Sequence, residues 1–435
     1  MDVDYKNRVS DIVLADYLAA SGAVLIEGAK WCGKTTSGLH FSKSVLLMHE
    51  PEMKEQNSQL AKTMPRRLLQ GETPRLIDEW QIAPKLWDAV RFEVDQRNNL
   101  GQFILTGSAV PADFSKIFHS GIGRIARLKM RPMSLWESGE SSGEVSLERL
   151  FGGNAEIFGN NVNDLEKIAF LICRGGWPRS IGQNEKVALQ QAKLYFNALV
   201  ETDISCVDNV NRSSDFAKRL LRSYARGIGT QMKNLAILED LSVNESVSPV
   251  ENTLLSYLEA LKKVFVVEES LSWNPNLRSK TAIRTSNTRY FVDPSIATAA
   301  LRIGPKDLVN DLNTMGLFFE NLCVRDLRVY ANALDGDVYH YRDKNGLECD
   351  AVIHLNNGKY GLVEIKLGGD KQIDEAVKTL TKIESIIDTK KMGVPAFKMV
   401  LTAVGNYAFR RPDRIFGVPE NVAFVTLAND GKIAI

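Results

Sequence analysis

Residues 28–35 read Gly-Ala-Lys-Trp-Cys-Gly-Lys-Thr, and the spacing Gly28-x-x-x-x-Gly33-Lys34-Thr35 leaves the chain few folds to choose from. The two glycines let the backbone curl so that successive N–H groups, through Ala29, Lys30, Trp31 and Cys32, point at one centre. That centre lies at the positive end of the helix that follows. Such a cup suits phosphate oxygens. Lys34 reaches the same oxygens, the Thr35 hydroxyl is a ligand for Mg²⁺, and Thr36 is counted with the loop. Val24-Leu25-Ile26, a short apolar run, leads directly into the motif, and a helical stretch follows from Thr35. Strand, loop and helix in this order predict an α/β domain that binds ATP and Mg²⁺.

Three more short apolar runs follow, at Val45–Met48, Leu76-Ile77 and Phe103–Leu105. Continuous apolar strands are those covered on both faces, and their alternation with helical segments predicts a parallel, doubly wound sheet. The strand Arg75–Glu79 ends in two carboxylates. Asp78 is expected to hold the water shell of Mg²⁺, and Glu79 to orient and deprotonate the attacking water. Hydrolysis, beyond binding, is therefore the expectation. In Leu105-Thr106-Gly107-Ser108 the hydroxyls of Thr106 and Ser108 are candidates for the γ-phosphate or the lytic water, with simple strand capping as the other reading. Arg124 and Arg127, in Gly123-Arg-Ile-Ala-Arg127, are candidate arginine fingers. A finger acting from a second copy would require a homo-oligomer.

A chain of 435 residues has room for two or three domains. Its 54 Lys and Arg nearly cancel its 53 Asp and Glu, so any contact with DNA must come from a local basic surface. The N-terminus lacks the pattern of a secretory signal, and no apolar run reaches the length of a membrane span. The five cysteines are scattered with no CxxC pair, which predicts a reduced, cytoplasmic chain without a disulfide frame or zinc ribbon.

Residues 137–162, rich in Gly, Ser, Glu and Asn, read as a loop, and the pattern then turns helical to about Ala260. Ser248-Pro249 has the look of a helix start, and the helix through Leu254, Leu258 and Leu261 gives way to a strand at Val264–Val267. Helices followed by a strand is the order of a winged helix-turn-helix. Lys218, Arg219, Arg222, Arg226 and Lys233 form one basic stretch; Arg278, Lys280, Arg284 and Arg289 form another where a wing would lie. Both could track DNA phosphates. Glu251, heading the candidate recognition helix, opposes base reading there, so a docking module is the other reading.

Beyond Asn310 a second α/β pattern begins: a long helix over 311–334, strands at 338–341, 349–354 and 361–366, a helix from Ile373, and late strands at 399–401 and 423–426. Asp350 lies on one of these strands, while Glu364 and Lys366 share a face of the next. Asp followed by Glu-x-Lys is the pattern of PD-(D/E)XK nucleases. Asp350 and Glu364 would bind Mg²⁺, Lys366 would position the attacking water, and Glu320 on the long helix matches the additional acid. A solvated ion-pair face on a retained but inert scaffold is the competing reading.

Leu25–Thr36, Leu76–Gln81, Leu105–Ser108 and Gly123-Arg124, with Arg131-Pro-Met-Ser-Leu-Trp-Glu137, resemble the predicted AAA+ superfamily ATPases of bacteria and archaea. The likeness continues in Gly175–Pro178, Glu201–Ile204, Tyr290–Pro294 and Phe319–Asn321, and so spans nearly the whole chain. It implies an AAA+-like ATPase domain (1–137), a helical lid (138–212), a winged-helix-like unit (213–292) and a restriction-endonuclease-like domain (293–435). The expected function is ATP hydrolysis coupled to DNA processing or binding. The alternative is an ATP-controlled partner-binding switch with an inert nuclease-like scaffold. A small-molecule kinase fits poorly, because Asp78-Glu79 suits water activation and the C-terminal half would have no role.

Overall fold

The apolar run before the phosphate loop is an interior strand of a five-stranded sheet in the computed structural model. The structure describes residues 5–108, 121–153, 157–161, 163–208, 210–242, 250–274, 286–419 and 423–424. The strands are β1 (Ala23–Glu27), β2 (Ser44–Leu47), β3 (Arg75–Asp78), β4 (Phe103–Gly107) and β5 (Ile125–Lys129). They are all parallel and lie in the order β2-β3-β4-β1-β5. The insertion of β4 between β1 and β3 sets the end of β4 between the phosphate loop and the paired carboxylates. Strands β1, β3 and β4 are covered on both faces, which is why they read as short apolar runs. Helices α1 (Ser10–Ala20) and α2 (Lys34–Phe41) pack on the sheet, and Val13 and Leu14 of α1 meet Val24, Ile26, Leu76 and Ile104. On the opposite face Leu86, Trp87 and Val90 of α3 (Lys85–Arg97) meet Leu25, Ile77 and Leu105. The segment Gly123–Arg127, read only as a source of arginines, contains most of edge strand β5.

Residues 137–162 are more than a loop. They carry β6 (Val145–Ser146), a short helix at Leu147–Gly152 and β7 (Gly159–Asn160). Two-residue strands have no periodicity to read. Helices α4 (Leu165–Arg174), α5 (Glu185–Ala198), α6 (Ser214–Arg226), α7 (Asn234–Ser242) and α8 (Glu251–Lys263) follow. Asp164, Asn184 and Ser213 cap the first three of these by accepting a backbone N–H in the first turn. The chain then forms an antiparallel hairpin of β8 (Val267–Ser270) and β9 (Thr288–Phe291). The strand expected at Val264–Val267 begins only at Val267, because Phe265 adopts a left-handed φ of 58° and makes a turn. The expected helix start at Ser248-Pro249, and Arg278, Lys280 and Arg284, lie outside the described residues.

Beyond the short helix α9 (Pro294–Leu301), the expected long helix is α10 (Leu312–Ala333), capped by Asp311 through the Thr314 N–H. Then come β10 (Gly336–Arg342), β11 (Glu348–Leu355), β12 (Tyr360–Lys366), α11 (Asp370–Ile386), β13 (Phe397–Thr402), β14 (Tyr407–Arg410), β15 (Phe416–Pro419) and β16 (Ala423–Phe424). A seven-stranded mixed sheet runs β10-β11-β12-β13-β15-β14-β7, so the segment after the ATPase domain supplies its last strand. β6 likewise pairs with β16. Phe318, Phe319 and Leu322 of α10 cover one face of this sheet, with Ala351, Val363 and Met399. Ala376, Leu380 and Ile383 of α11 cover the other, with Val352, Leu362 and Val400. Among the described residues no helix is long and apolar enough to cross a membrane.

Candidate ATPase and carboxylate sites

The two glycines of the loop are required for different reasons. A Cβ on Gly28 would stand 2.1 Å from the Met130 carbonyl oxygen, so the site admits no side chain. Gly33 has φ 107°, in the region that L-residues avoid, and from there the chain enters α2. Lys34 is buried, and its Nζ donates to the carbonyls of Gly28 (2.9 Å) and Ala29 (2.8 Å), inside the curl. Ala29 and Cys32 are buried, whereas Lys30, Trp31 and Thr36 face outward.

The strand order brings three motifs to one point. Asp78 Oδ1 accepts a hydrogen bond from Thr35 Oγ1 at 2.7 Å and another from Thr106 Oγ1. Asp78 and Thr106 are both buried. Two hard oxygen donors side by side, at the mouth of a phosphate-type loop, fit Mg²⁺ well. Glu79 sits in the left-handed region (φ 56°, ψ 46°), a conformation costing a non-glycine residue about 1–3 kcal/mol. The turn separates its carboxylate from that of Asp78. Gln81 Nε2 and Ser108 Oγ (3.3 Å) both donate to Glu79 Oε2. Ser108 thus holds the glutamate, a role its position in sequence did not reveal.

The arginine candidates are placed elsewhere. Arg124 precedes β5 at the N-terminal end of the sheet, pairs with Asp95 at 2.9 Å, and its carbonyl receives the Ala23 N–H. The five residues of β1 separate that end from Gly28, roughly 16 Å. Arg127 pairs with Glu27 (3.3 Å) and lies over the Trp87 ring, on the α3 face of the sheet. As placed, neither arginine touches the phosphate loop of its own chain. Among the described residues Arg8, which belongs to no motif, does touch it. Fully buried, it donates to the carbonyl of Cys32 (2.7 Å), to that of Arg131 (2.8 Å) and to Glu137 (2.9 Å). Glu137 also accepts the N–H groups of Val9 and Ser134. On its outer side the loop meets the helical segment. Lys30 pairs with Asp203, and the Trp31 ring stands edge-on to Tyr195, 5.6 Å between centroids.

The C-terminal acids also converge. The antiparallel ladder of β11 and β12 ends at Ala351 and Val363. Beyond it the Asp350 carboxylate accepts the Ile365 N–H at 2.7 Å, and Lys366 Nζ lies 2.8 Å from both Asp350 and Glu364. Burial, with Asp350 adding repulsion, pushes the Glu364 carboxyl up to about 8, and its Oε1 is buried without a partner. Burial and then Asp350 also hold Glu320 well above the usual carboxylate range. Glu320 accepts from the Tyr290 hydroxyl and, with Asp350, lines a cavity of about 250 Å³. Three acids crowded around one ammonium hold Glu320 and Glu364 above the usual carboxylate range, and the orphan oxygen of Glu364 is a hard donor aimed at the site. Both features fit a divalent cation on Asp350 and Glu364. Among the described residues no three His, Cys, Asp or Glu side chains form a ready-made cage for an ion.

Helix α10 joins the acid site to the end of the ATPase domain. It carries Glu320 and, two turns on, Asp326, whose Oδ2 accepts the Leu135 N–H at 2.7 Å from the end of the ATPase domain. Arg325 pairs with Asp326 (2.7 Å) and with Asp293 (2.8 Å), and Asp293 accepts the Gly176 N–H. Nearby, Arg131, Lys129 and Arg328 converge on Glu268 of β8, whose carboxyl they hold well below the usual range against burial.

Comparison with known proteins matches three stretches of the chain. Residues 20–138 match a family described as an AAA domain. Residues 165–307 and 315–419 each match a domain of unknown function, DUF8612 and DUF4143. Uncharacterized proteins of Mycobacterium tuberculosis and Mycobacterium bovis are each 22% identical over 416 residues, covering 95% of this chain and 83% of the relative. Among solved structures, a Walker-type ATPase of Pyrococcus abyssi is similar at 19% identity and a TM-score of 0.43, over 69% of this chain and 97% of that one. The AAA match and the geometry of the loop, Asp78 and Glu79 together identify the N-terminal unit as a P-loop ATPase domain.

Proposed function

We propose that this chain couples Mg²⁺-dependent ATP hydrolysis to the processing of DNA, with residues 1–137 as motor and 293–435 as a PD-(D/E)XK nuclease-like domain. The lid (138–212) and a winged-helix-like unit (213–292) lie between them. The carrying observation is that one helix, α10, bears both Glu320 of the acid site and Asp326 on the ATPase domain.

In the ATPase site the N–H groups of residues 28–36 cradle the β- and γ-phosphates, with Lys34 on the same oxygens. Thr35 and Asp78 are the residues to hold Mg²⁺, which when bound neutralises charge on the phosphates. Glu79 accepts the proton of the attacking water, while Thr106 and Ser108 keep the two carboxylates apart and oriented. In the C-terminal site Asp350 and Glu364 are the residues to hold a second Mg²⁺, whose chemistry would be Lewis-acid polarisation of a phosphodiester. Lys366 positions the water and Glu320 adds an acceptor at the cavity wall.

Supercoiled, linear and branched DNA with Mg²⁺ or Mn²⁺ tests the nuclease half. Wild type is expected to cleave at least one form, and Glu364→Ala and Lys366→Ala to lose about 100-fold or more of that rate. No cleavage by wild type, or equal cleavage by Glu364→Ala, would sink it. The switch reading would then stand, and one observation favours it already: the Lys366 ammonium occupies the space between Asp350 and Glu364, where a cation belongs.

Arg124 lies far from its own loop, and in this reading it serves a neighbouring copy in a homo-oligomer. Arg124→Ala is expected to slow hydrolysis by about tenfold or more. Mixing it with Lys34→Ala should restore part of the activity. No recovery in the mixture would rule out shared sites.

A further inference from the structure

A basic cavity among the described residues is used by neither site. It measures about 720 Å³ and lies between α5, α6 and the end of α9. Lys218, Arg219 and Arg222 reach it from α6, where spacings of three and four residues put them on one face. Lys193 of α5 and Arg302, the left-handed residue (φ 60°) that closes α9, complete the rim, with Asp215 as the acid among the lining residues. The floor is apolar, formed by Phe196, Ala299 and Ile303. The volume is that of a small-molecule site. Arginines and lysines around an apolar floor suit a ligand with a flat apolar ring at one end and phosphate at the other.

We propose that this cavity binds a nucleoside phosphate, either a free nucleotide or one unit of a single-stranded nucleic acid. Its placement connects it to the ATPase site. Helix α5 presents Lys193, Phe196 and Asn197 to the cavity, while Tyr195 packs on Trp31 of the phosphate loop and on Trp177. The helix then loosens into a π-helical turn, Leu199–Asp203. In that turn Glu201 lies 3.9 Å from Lys218 at the cavity, and Asp203 pairs with Lys30 of the loop. Wide turns of this kind recur at functional sites. A ligand that draws Lys218 from Glu201 acts on the same five-residue turn that anchors the phosphate loop.

The test uses the full chain with its phosphate loop filled by a non-hydrolysable ATP analogue. One arm titrates thymidine 5′-monophosphate by calorimetry; the other titrates a fluorescent oligothymidylate by anisotropy. Binding of at least one probe is expected, weakened about tenfold or more in R219A/R222A and held within about threefold in R219K/R222K. Hydrolysis without probe should be unchanged in both variants. Monophosphate binding alone assigns a free nucleotide; oligothymidylate binding alone assigns a strand. If neither probe binds, or if R219A/R222A binds as wild type does, the proposal is overturned. The DNA-cleavage assay stands apart from this outcome.

Discussion

Glu79→Gln is expected to lower ATP hydrolysis by roughly 100-fold or more while leaving ATP affinity within about twofold. The two carboxylates at the end of β3 are adjacent in sequence and separate in space. Asp78 points at Thr35 and Thr106, on the helix and strand that flank the loop. Glu79, turned by its left-handed backbone, is held by Gln81 and Ser108. Glutamine keeps the size of the side chain and an oxygen for the Ser108 hydroxyl, but it cannot accept a proton from water. Binding rests on Lys34 and the loop N–H groups, which the change does not touch. Single-turnover hydrolysis, set beside equilibrium binding of a fluorescent ATP analogue, separates the two effects. A rate near that of wild type would remove Glu79 from the role of base. A matching loss of affinity would make it a structural residue.

What could be read from the sequence, and what could not, divides along physical lines. Strands β1, β3 and β4 are buried on both faces and bounded by loops, so each is a short unbroken apolar run. Long helix α10 was legible for a similar reason: it has a capping Asp311, an apolar stripe and no proline over 22 residues. Edge strand β5 was not, because Arg127 and Lys129 sit among its apolar residues and only Ile125 and Leu128 are buried. Arg8 is the sharper case. Its partners Cys32, Arg131 and Glu137 lie 24 to 129 positions away, and one arginine in a polar N-terminal stretch carries no signal of burial. The acid site was legible as a pattern, since Glu364 and Lys366 alternate along one strand. The crowding of acids around Glu364 was not, for it depends on where the ladder of β11 and β12 ends, at Ala351 and Val363.

The buried junction of α10 supports the second large expectation: Arg325→Met should destabilise the protein by about 3–5 kcal/mol. Arg325 is 1% exposed, and Asp293 and Asp326, which it pairs with, are fully buried. Methionine fills much the same volume, so the loss is electrostatic: two carboxylates would remain without the charge that balances them. Both also serve the backbone, Asp326 through Leu135 and Asp293 through Gly176, so neither can swing out to water without breaking the contact between domains. The sign of the pH dependence follows from Asp326, whose carboxyl burial already pushes above its ordinary value while Arg325 draws it back. Removing the arginine raises it further. A raised folded pKa contributes stability that is fully present below the unfolded value, near 4, and is lost as pH rises through the folded one. The deficit of Arg325→Met should therefore be small near pH 4 and grow toward neutrality, and adding Asp326→Asn should recover part of it. Urea unfolding of the variants across that range measures both. A deficit under about 1 kcal/mol at pH 7, or one independent of pH, would mean that the two carboxylates need no buried cation. The contact from Leu135 to α10 would then have to be carried by packing alone.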